Sequence, residues 1–425
     1  MKIALVTLGT RGDVQPYVAI GCALEARGHR VTIATHREFE PLIRAYGLAF
    51  KPLRANFGEL CQTDAGRAWL TSGDSPREYR KWVRILLGEL QQGWCEDADA
   101  AVEGADAVVF YMMAVGALYA AERRGLPAMF LAPWPAIPTG AFVPTGPQLG
   151  WLPGFVKRAA GHAILRFVGR AFRDEHATYR AGVGLPPSRA SDPFHHVLDS
   201  GIGSVGLFSE SVLPRPYDWD VRHEVAGFAF APTRAYEPPP ALARFLEAGP
   251  KPIYIGFGSM TGFEPAALAR IAIEAAQRAG VRVILSSGWA GLGADANDVV
   301  QVVGDVPHDW LFPRVAAVVH HGGVGTFAEG LRAGRPTVIA AFFGDQPFWG
   351  WRNEQLGTGP RTLTRKRLNA ETLGRAIEQA VTIEGYRLRA EEIGATLRAE
   401  SGAERAAAMI ERRFAAELQG RAARG

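Results

Sequence analysis

Cysteine is scarce: three residues in 425 (Cys22, Cys61 and Cys95), none in a CxxC pair. That odd, scattered set excludes a disulfide framework and a cysteine-built zinc site. An excess of charge of one sign is also missing. Lys and Arg number 47 against 43 Asp and Glu, a formal net charge of +4, so composition does not call for a nucleic-acid partner. Apolar runs stay short, whereas a bilayer-spanning helix needs about 20 apolar residues. The opening Met1-Lys2-Ile3-Ala4-Leu5-Val6-Thr7-Leu8 breaks at once into Gly9-Thr10-Arg11-Gly12-Asp13, with no small-residue cleavage site. It reads as a buried first strand rather than a leader, and the expected location is the cytoplasm. The turn after that strand lacks a complete GxGxxG, which argues against a nicotinamide-dependent oxidoreductase.

What is present is ordinary globular composition, 48% apolar and 21% charged, which argues against disorder. The chain exceeds one ordinary core, and two domains of about 200 residues each are expected. Residues 2–8 suit a parallel strand covered on both faces. A helix from about Pro16 to Arg27 follows, with Gly28 as C-cap, then strands at Arg30–Thr35, Ala107–Tyr111 and Ala128–Ala132. A Pro-rich zone containing Pro214, Pro216, Pro232 and Pro238-Pro239-Pro240 interrupts the pattern. It then restarts with a strand at 252–259 and a helix at Pro265–Ala279. Further strands are expected at Arg282–Ser286, Val299–Val303, Ala317–His320 and Thr337–Ala340. Alternating strand and helix implies doubly wound parallel sheets: a Rossmann-like domain at 1–213, a stiff linker at 214–240 and a second such domain at 241–385. Residues 386–425 read as two helices, Tyr386–Glu400 and Ala403–Leu418, expected to cross back onto the first domain. Ser401 and Glu404 between them have capping-box spacing.

Several Gly-bearing turns lie between a strand and a helix, where backbone N–H groups and the helix dipole favour an anion. Gly256-Phe257-Gly258-Ser259-Met260 is one, and Gly there also serves tight turning alone. His320-His321-Gly322-Gly323-Val324-Gly325-Thr326 is more specific. It sets Gly323, Gly325 and Thr326 at a helix N-terminus suited to a diphosphate, with His321 as an added donor. Glu329, about one turn further along, offers a carboxylate to two ribose hydroxyls. His320 and His321 are adjacent at a strand end, point to opposite sides, and make a poor metal pair. In Phe342-Phe343-Gly344-Asp345-Gln346-Pro347-Phe348-Trp349, Asp345 and Gln346 offer an acceptor and a donor for sugar hydroxyls, with the aromatics as an expected platform. The first turn, Gly9 to Pro16, either caps a helix with Asp13 as N-cap or carries a function.

Taken in order, GTRGDVQP (9–16), GFGSM (256–260), VPHDWLFP (306–313), HHGGVGT (320–326) and FFGDQPFWG (342–350) resemble glycosyltransferase family 1. The resemblance covers nearly the whole chain and is strongest to sterol glucosyltransferases and related bacterial natural-product glucosyltransferases. It implies the GT-B fold, two Rossmann-like domains facing across a cleft. It further implies an inverting, metal-independent transfer of glucose from UDP-glucose to a hydroxyl of a lipophilic acceptor such as a sterol, terpenoid or polyketide, with no cofactor. Under it Asp13 is the general base, and Ser259, His321, Gly323, Gly325 and Thr326 hold the diphosphate. Val306, Pro307 and His308 hold the nucleobase, Glu329 the ribose, and Asp345 and Gln346 the transferred sugar; Trp310 is expected only to pack. Val324 and Phe327 depart from the branch, which more often has a small residue and a threonine there. The alternative within the resemblance is a dTDP-deoxysugar donor in antibiotic tailoring.

Two DxD pairs, Asp97-Ala98-Asp99 and Asp218-Trp219-Asp220, do not follow a strand beside a phosphate loop and read as solvated surface. Residues 155–172 form an amphipathic helix, and residues 151–185 carry six basic residues against Asp174 and Glu175. This stretch reads as a cover over the acceptor pocket or as a transient peripheral contact, through 151–175, with the anionic inner face of a membrane. In the second reading Trp151, Leu152, Pro153 and Phe155 form the apolar lip. Trp69, Trp82 and Trp94 either pack in a core or line the pocket.

Overall fold

The computed structural model describes residues 1–54, 59, 63–71, 77, 81, 96–145, 148, 150–258, 265–286 and 298–423. Contacts divide the chain into two compact units, Met1–Pro232 with Ser401–Gly425, and Thr233–Glu400.

In the first unit the apolar runs become strands β1 (Lys2–Val6), β2 (Arg30–His36), β3 (Ala49–Leu53), β4 (Ala107–Tyr111), β5 (Ala128–Ala132), β6 (Gly203–Gly206) and β7 (His223–Val225). They pair in the order β3-β2-β1-β4-β5-β6-β7, every pair parallel. Helices cover both faces, so every residue of β4 and β5 is buried. The second unit repeats the plan with β8 (Ile253–Gly256), β9 (Val283–Ser286), β10 (Val300–Val303), β11 (Val318–His320), β12 (Thr337–Ala341) and β13 (Leu363–Thr364). Their order is β10-β9-β8-β11-β12-β13, again parallel throughout. In each sheet the winding reverses beside the first strand: β1 lies between β2 and β4, and β8 between β9 and β11. Such switch points open a crevice at the carboxyl ends of the strands.

β3, β6, β7 and β13 do not stand out in the sequence. β3 contains Lys51 and Pro52, and it survives because it is an edge strand, where a missing N–H goes unnoticed. β6 begins and ends in Gly; a Cβ on Gly203 would lie 2.5 Å from the Arg413 guanidinium.

Two helix starts also differ from expectation. The first helix begins at Arg11, not Pro16, and runs to Ala26. Pro16 lies inside it, in the second turn, where its missing N–H removes the bond to the Gly12 carbonyl. The C-terminal stretch is shared between the units: helix Glu384–Ala399 packs with the second and helix Gly402–Ala422 with the first. The capping box expected at Ser401 does not form. Ser401 has ψ 62°, and its side chain makes no cap hydrogen bond. A close approach sets the turn instead, since a Cβ on Gly402 would lie 2.2 Å from the Phe228 carbonyl oxygen.

Candidate functional site

The switch point of the first unit holds Asp13. β1 ends at Val6, and Gly9 turns the chain at φ +128°, a backbone region open to glycine. The Gly9 N–H donates to Nε2 of buried His36 at the end of β2, 3.0 Å away. Thr10 is the N-cap of the helix and Asp13 its third residue, so Asp13 is not the cap the sequence suggested. Asp13 Oδ2 accepts from the Thr10 N–H at 2.8 Å and from Thr10 Oγ1 at 3.1 Å, the half of a capping box that reaches backward. A Cβ on Gly9 would lie 2.3 Å from Asp13 Oδ2, so Gly is required there for space as well as conformation. Burial raises the proton affinity of this carboxyl above that of an ordinary aspartate, and hydrogen bonds from Thr10 and Tyr111 only partly offset it. Tyr111 ends β4, and Trp134 Nε1 donates to its hydroxyl at 3.4 Å. Tyr17, one turn along the helix, is fully buried and bonds the Leu131 carbonyl. Tyr111 and Trp134 were not legible as site residues. The available signal was that β4 must flank β1 in a doubly wound sheet, which brings its last residue to the same edge.

The switch point of the second unit gathers most of the expected donor residues. β8 runs into Gly258 at φ +71°, and β11 into His321 and Gly322 at φ +95°. Gly323 caps the helix Val324–Arg332, whose first turn contains Gly325 and Thr326. First-turn N–H groups have no intrahelical acceptor and face an incoming anion. The His321 ring lies between the two glycine turns. A Cβ on Gly323 would sit 2.5 Å from its Nε2, and one on Gly258 3.4 Å from its Cε1. Burial lowers the His321 pKa to about 4, so the imidazole is neutral at ordinary pH, and its buried Nδ1 has no hydrogen-bond partner among the described residues. His320 turns away, its ring at 87° to that of His321, and its Nδ1 accepts the Gly322 N–H. Ser259 and Met260 lie outside the described residues.

Glu329 sits further along the same helix with its carboxyl 3.6 Å from Arg332. Burial, assisted by the nearby charge of Asp309, raises it to about 7, against the opposing pull of Arg332. A pocket of about 330 Å³ opens at the carboxyl ends of β9 and β10, lined by Tyr254, Ser286, Val303, Val306 and His308 among others. The His308 ring is stacked on Phe312 at 4.2 Å and meets Tyr254 edge-on. Pro307 is the N-cap of the short helix carrying His308. Trp310 packs on Tyr236, with Arg314 over its ring.

The loop after β12 departs from its expected form. Phe348 and Trp349 are fully buried in a helix spanning Gln346–Leu356, Trp349 against Phe327, so they belong to the core and are not a sugar platform. Gln346 is buried, and its Oε1 accepts the N–H groups of Phe342 and Phe343 at 2.8 and 3.2 Å. Asp345 Oδ2 accepts from Trp349 Nε1 at 2.8 Å. Both polar side chains thus also hold their own loop.

Of the DxD residues, Asp97 and Asp99 pair with Arg54 and with Arg123 and Arg124. Asp218 is not the surface residue expected. Its side chain is 7% exposed and ties Thr139, the Gly140 N–H and Arg158 together. The amphipathic helix spans Gly154–Gly169 and buries only Gly161, Leu165 and Gly169 fully. Trp151 and Phe155 are 79% and 77% exposed. Cys61, Cys95, Trp82 and Trp94, and the side chain of Trp69, lie outside the described residues.

Among the described residues no helix is long and apolar enough to cross a membrane. Residues 3–94 match the model of the glycosyltransferase family 28 N-terminal domain, and residues 281–412 that of the erythromycin biosynthesis protein CIII-like C-terminal domain. A sterol 3-beta-glucosyltransferase of Arabidopsis thaliana is 37% identical over 381 residues, covering 85% of this chain and 57% of the relative. One of Emericella nidulans is 34% identical over 425 residues, covering 95% of this chain and 29% of the relative. The chain therefore spans less than two thirds of the length of these relatives. The solved structure of the glycotransferase of kitacinnamycin aligns with a TM-score of 0.71 at 21% identity, covering 97% of this chain and 99% of the other. That likeness shows the fold, GT-B.

Proposed function

The chain belongs to the GT-B glycosyltransferases, on the branch of the sterol 3-beta-glucosyltransferases, and from that premise we propose that it transfers glucose from UDP-glucose to a hydroxyl of a lipophilic acceptor with inversion. The observation that carries the reading is Asp13, a partly buried carboxylate of raised proton affinity fixed by Thr10 at a sheet switch point. In this reading Asp13 takes the acceptor's hydroxyl proton while that oxygen bonds the anomeric carbon. The bond from that carbon to the diphosphate oxygen breaks at the same time, and UDP leaves with the electron pair. Burial suits the group to the task, since an aspartate near pKa 3.9 is a feeble base at neutral pH.

The second unit supplies what a leaving diphosphate needs without a metal. In this reading the first-turn amides of Val324, Gly325 and Thr326 face the growing negative charge and neutral His321 adds one N–H; Ser259 is assigned to the same diphosphate by the resemblance alone. The pocket beside Val306, Pro307 and His308 takes the nucleobase, Glu329 the ribose hydroxyls, and Asp345 and Gln346 the sugar. The commitment of Gln346 Oε1 inside its loop reduces what that pair offers to a fully hydroxylated sugar. It favours a second reading, a dTDP-deoxysugar donor. The exposed Trp151 and Phe155 beside Lys157 support peripheral contact with an anionic membrane, from which a lipophilic acceptor enters.

The test is UDP release by the purified protein with UDP-glucose against sterols, flavonoids and macrolides, in wild type and Asp13→Ala. Acceptor-dependent release that collapses in the variant supports the reading. Turnover with dTDP-sugars alone selects the second, and release that survives the substitution removes Asp13 as base.

A further inference from the structure

We propose that Tyr111 is the positioning residue of Asp13: its hydroxyl, itself held by the Trp134 indole, donates to the Asp13 carboxylate and turns it toward the acceptor's proton. This rests on the reading of Asp13 as base and deepens it.

The direction of the chain of hydrogen bonds follows from the chemistry of its members. The register pairs Val6 with Phe110, so Tyr111 is the first residue beyond β1 on the same carboxyl edge as Asp13. An indole N–H can only donate, and Trp134 Nε1 is 3.4 Å from the Tyr111 oxygen. That contact occupies a lone pair of the oxygen and leaves the hydroxyl hydrogen to be given onward. An ionised carboxylate can only accept, and the Tyr111 side chain is hydrogen-bonded to Asp13. The order is therefore Trp134 to Tyr111 to Asp13. Thr10 binds Oδ2 through both its N–H and its Oγ1. With Tyr111 it fixes the plane of the carboxylate and leaves remaining lone pairs for an incoming hydroxyl. Among the described residues, the titratable groups facing Asp13 are Tyr111 from β4 and Tyr17 from its own helix; His36 from β2 acts one residue away, through Gly9. What favours the charged carboxylate here is the hydrogen bonds donated to it, by Thr10 and then by Tyr111.

Because Tyr111 is 9% exposed and packs in the core, the variant to make is Tyr111→Phe, which keeps the ring. The carboxyl of Asp13 is titrated by ¹³C NMR in wild type and variant, with Asp13→Asn identifying the signal, and the pH profile of transfer is recorded beside it. Loss of a donor to the charged form moves the titration, and with it the acidic limb of kcat, upward by about half to one pH unit. At the plateau kcat falls roughly three- to tenfold with donor KM unchanged. Trp134→Phe moves both in the same direction by less, through a weakened Tyr111 donor. A titration unchanged in folded Tyr111→Phe overturns the inference whatever the activity. Wild-type turnover in Asp13→Asn overturns the base reading itself, and the role of Tyr111 with it.

Discussion

Asp13 and Glu329 are two carboxyls that burial pushes in the same direction, yet the reaction asks different things of them. In the proposed mechanism the base must be ionised before it can take a proton, so activity is expected above the folded pKa of Asp13 and is lost as pH falls through it. Because that pKa is raised, the acidic limb of kcat is expected above the value of an ordinary aspartate. Asp13→Asn should lower kcat by about 10² to 10⁴-fold on the plateau above that limb, with the protein still folded and still binding UDP. Glu329 is raised to about 7, and it accepts from two ribose hydroxyls at once, and more strongly, when charged. Affinity for UDP-glucose should therefore rise with pH through 7 and level off above, weakening below by at most about tenfold per pH unit. Calorimetric titration between pH 6 and 8 checks this. Glu329→Gln should flatten the profile, and a wild-type profile already flat across the range would remove Glu329 from the ribose site.

At the scale of elements, the glycine turns do the positioning, and Gly9 shows how tightly. A methyl there meets Asp13 Oδ2 at 2.3 Å and asks an L-residue to adopt φ +128°. Gly9→Ala should cost about 1–2 kcal/mol of stability, a shift of a few degrees in Tm. It should also cut kcat far more than donor KM, because the residue displaced is the proposed base. A variant with wild-type kcat would mean Asp13 is not held as described. Elements of this kind were largely legible beforehand. β4 and β5 are legible end to end, since continuous burial writes an unbroken apolar run, and the turn at His321 to Thr326 announces itself by Gly at a helix start. Less visible were elements whose support is not local. β3 carries a Pro that only an edge tolerates, and β6 is a Gly-flanked pair of residues packed on Arg413. The site shares this limit. Sequence spacing identifies Asp13, but its partner Tyr111 arrives from another strand. The fold-back of Gln346 onto the amides of Phe342 and Phe343, four and three residues before it, is a local loop contact that strand and helix periodicity do not reveal.

For the whole molecule, the last helix breaks the correspondence between chain order and unit. Gly402–Ala422 comes after the second unit yet buries Ala403, Ala406, Ala407, Ile410 and Phe414 in the core of the first. Glu411 pairs there with Arg27 and His29, and Arg412 with Glu224. These ion pairs are exposed at the Arg and contribute little; the apolar face holds the helix. Within the described residues the two units keep separate cores, one around β1, β4 and β5, the other around β8, β11 and β12. A lesion in the last helix should therefore be felt by the unit that begins the chain. Phe414 is fully buried, and Phe414→Ala should cost the first unit about 3–5 kcal/mol. Thermal unfolding followed with and without UDP separates the units, because a ligand held by the second stabilises only what it binds. The expected result is an early transition moved down by the substitution and insensitive to UDP, with UDP affinity near wild type. Equal loss of UDP binding would show that the last helix supports the donor unit as well.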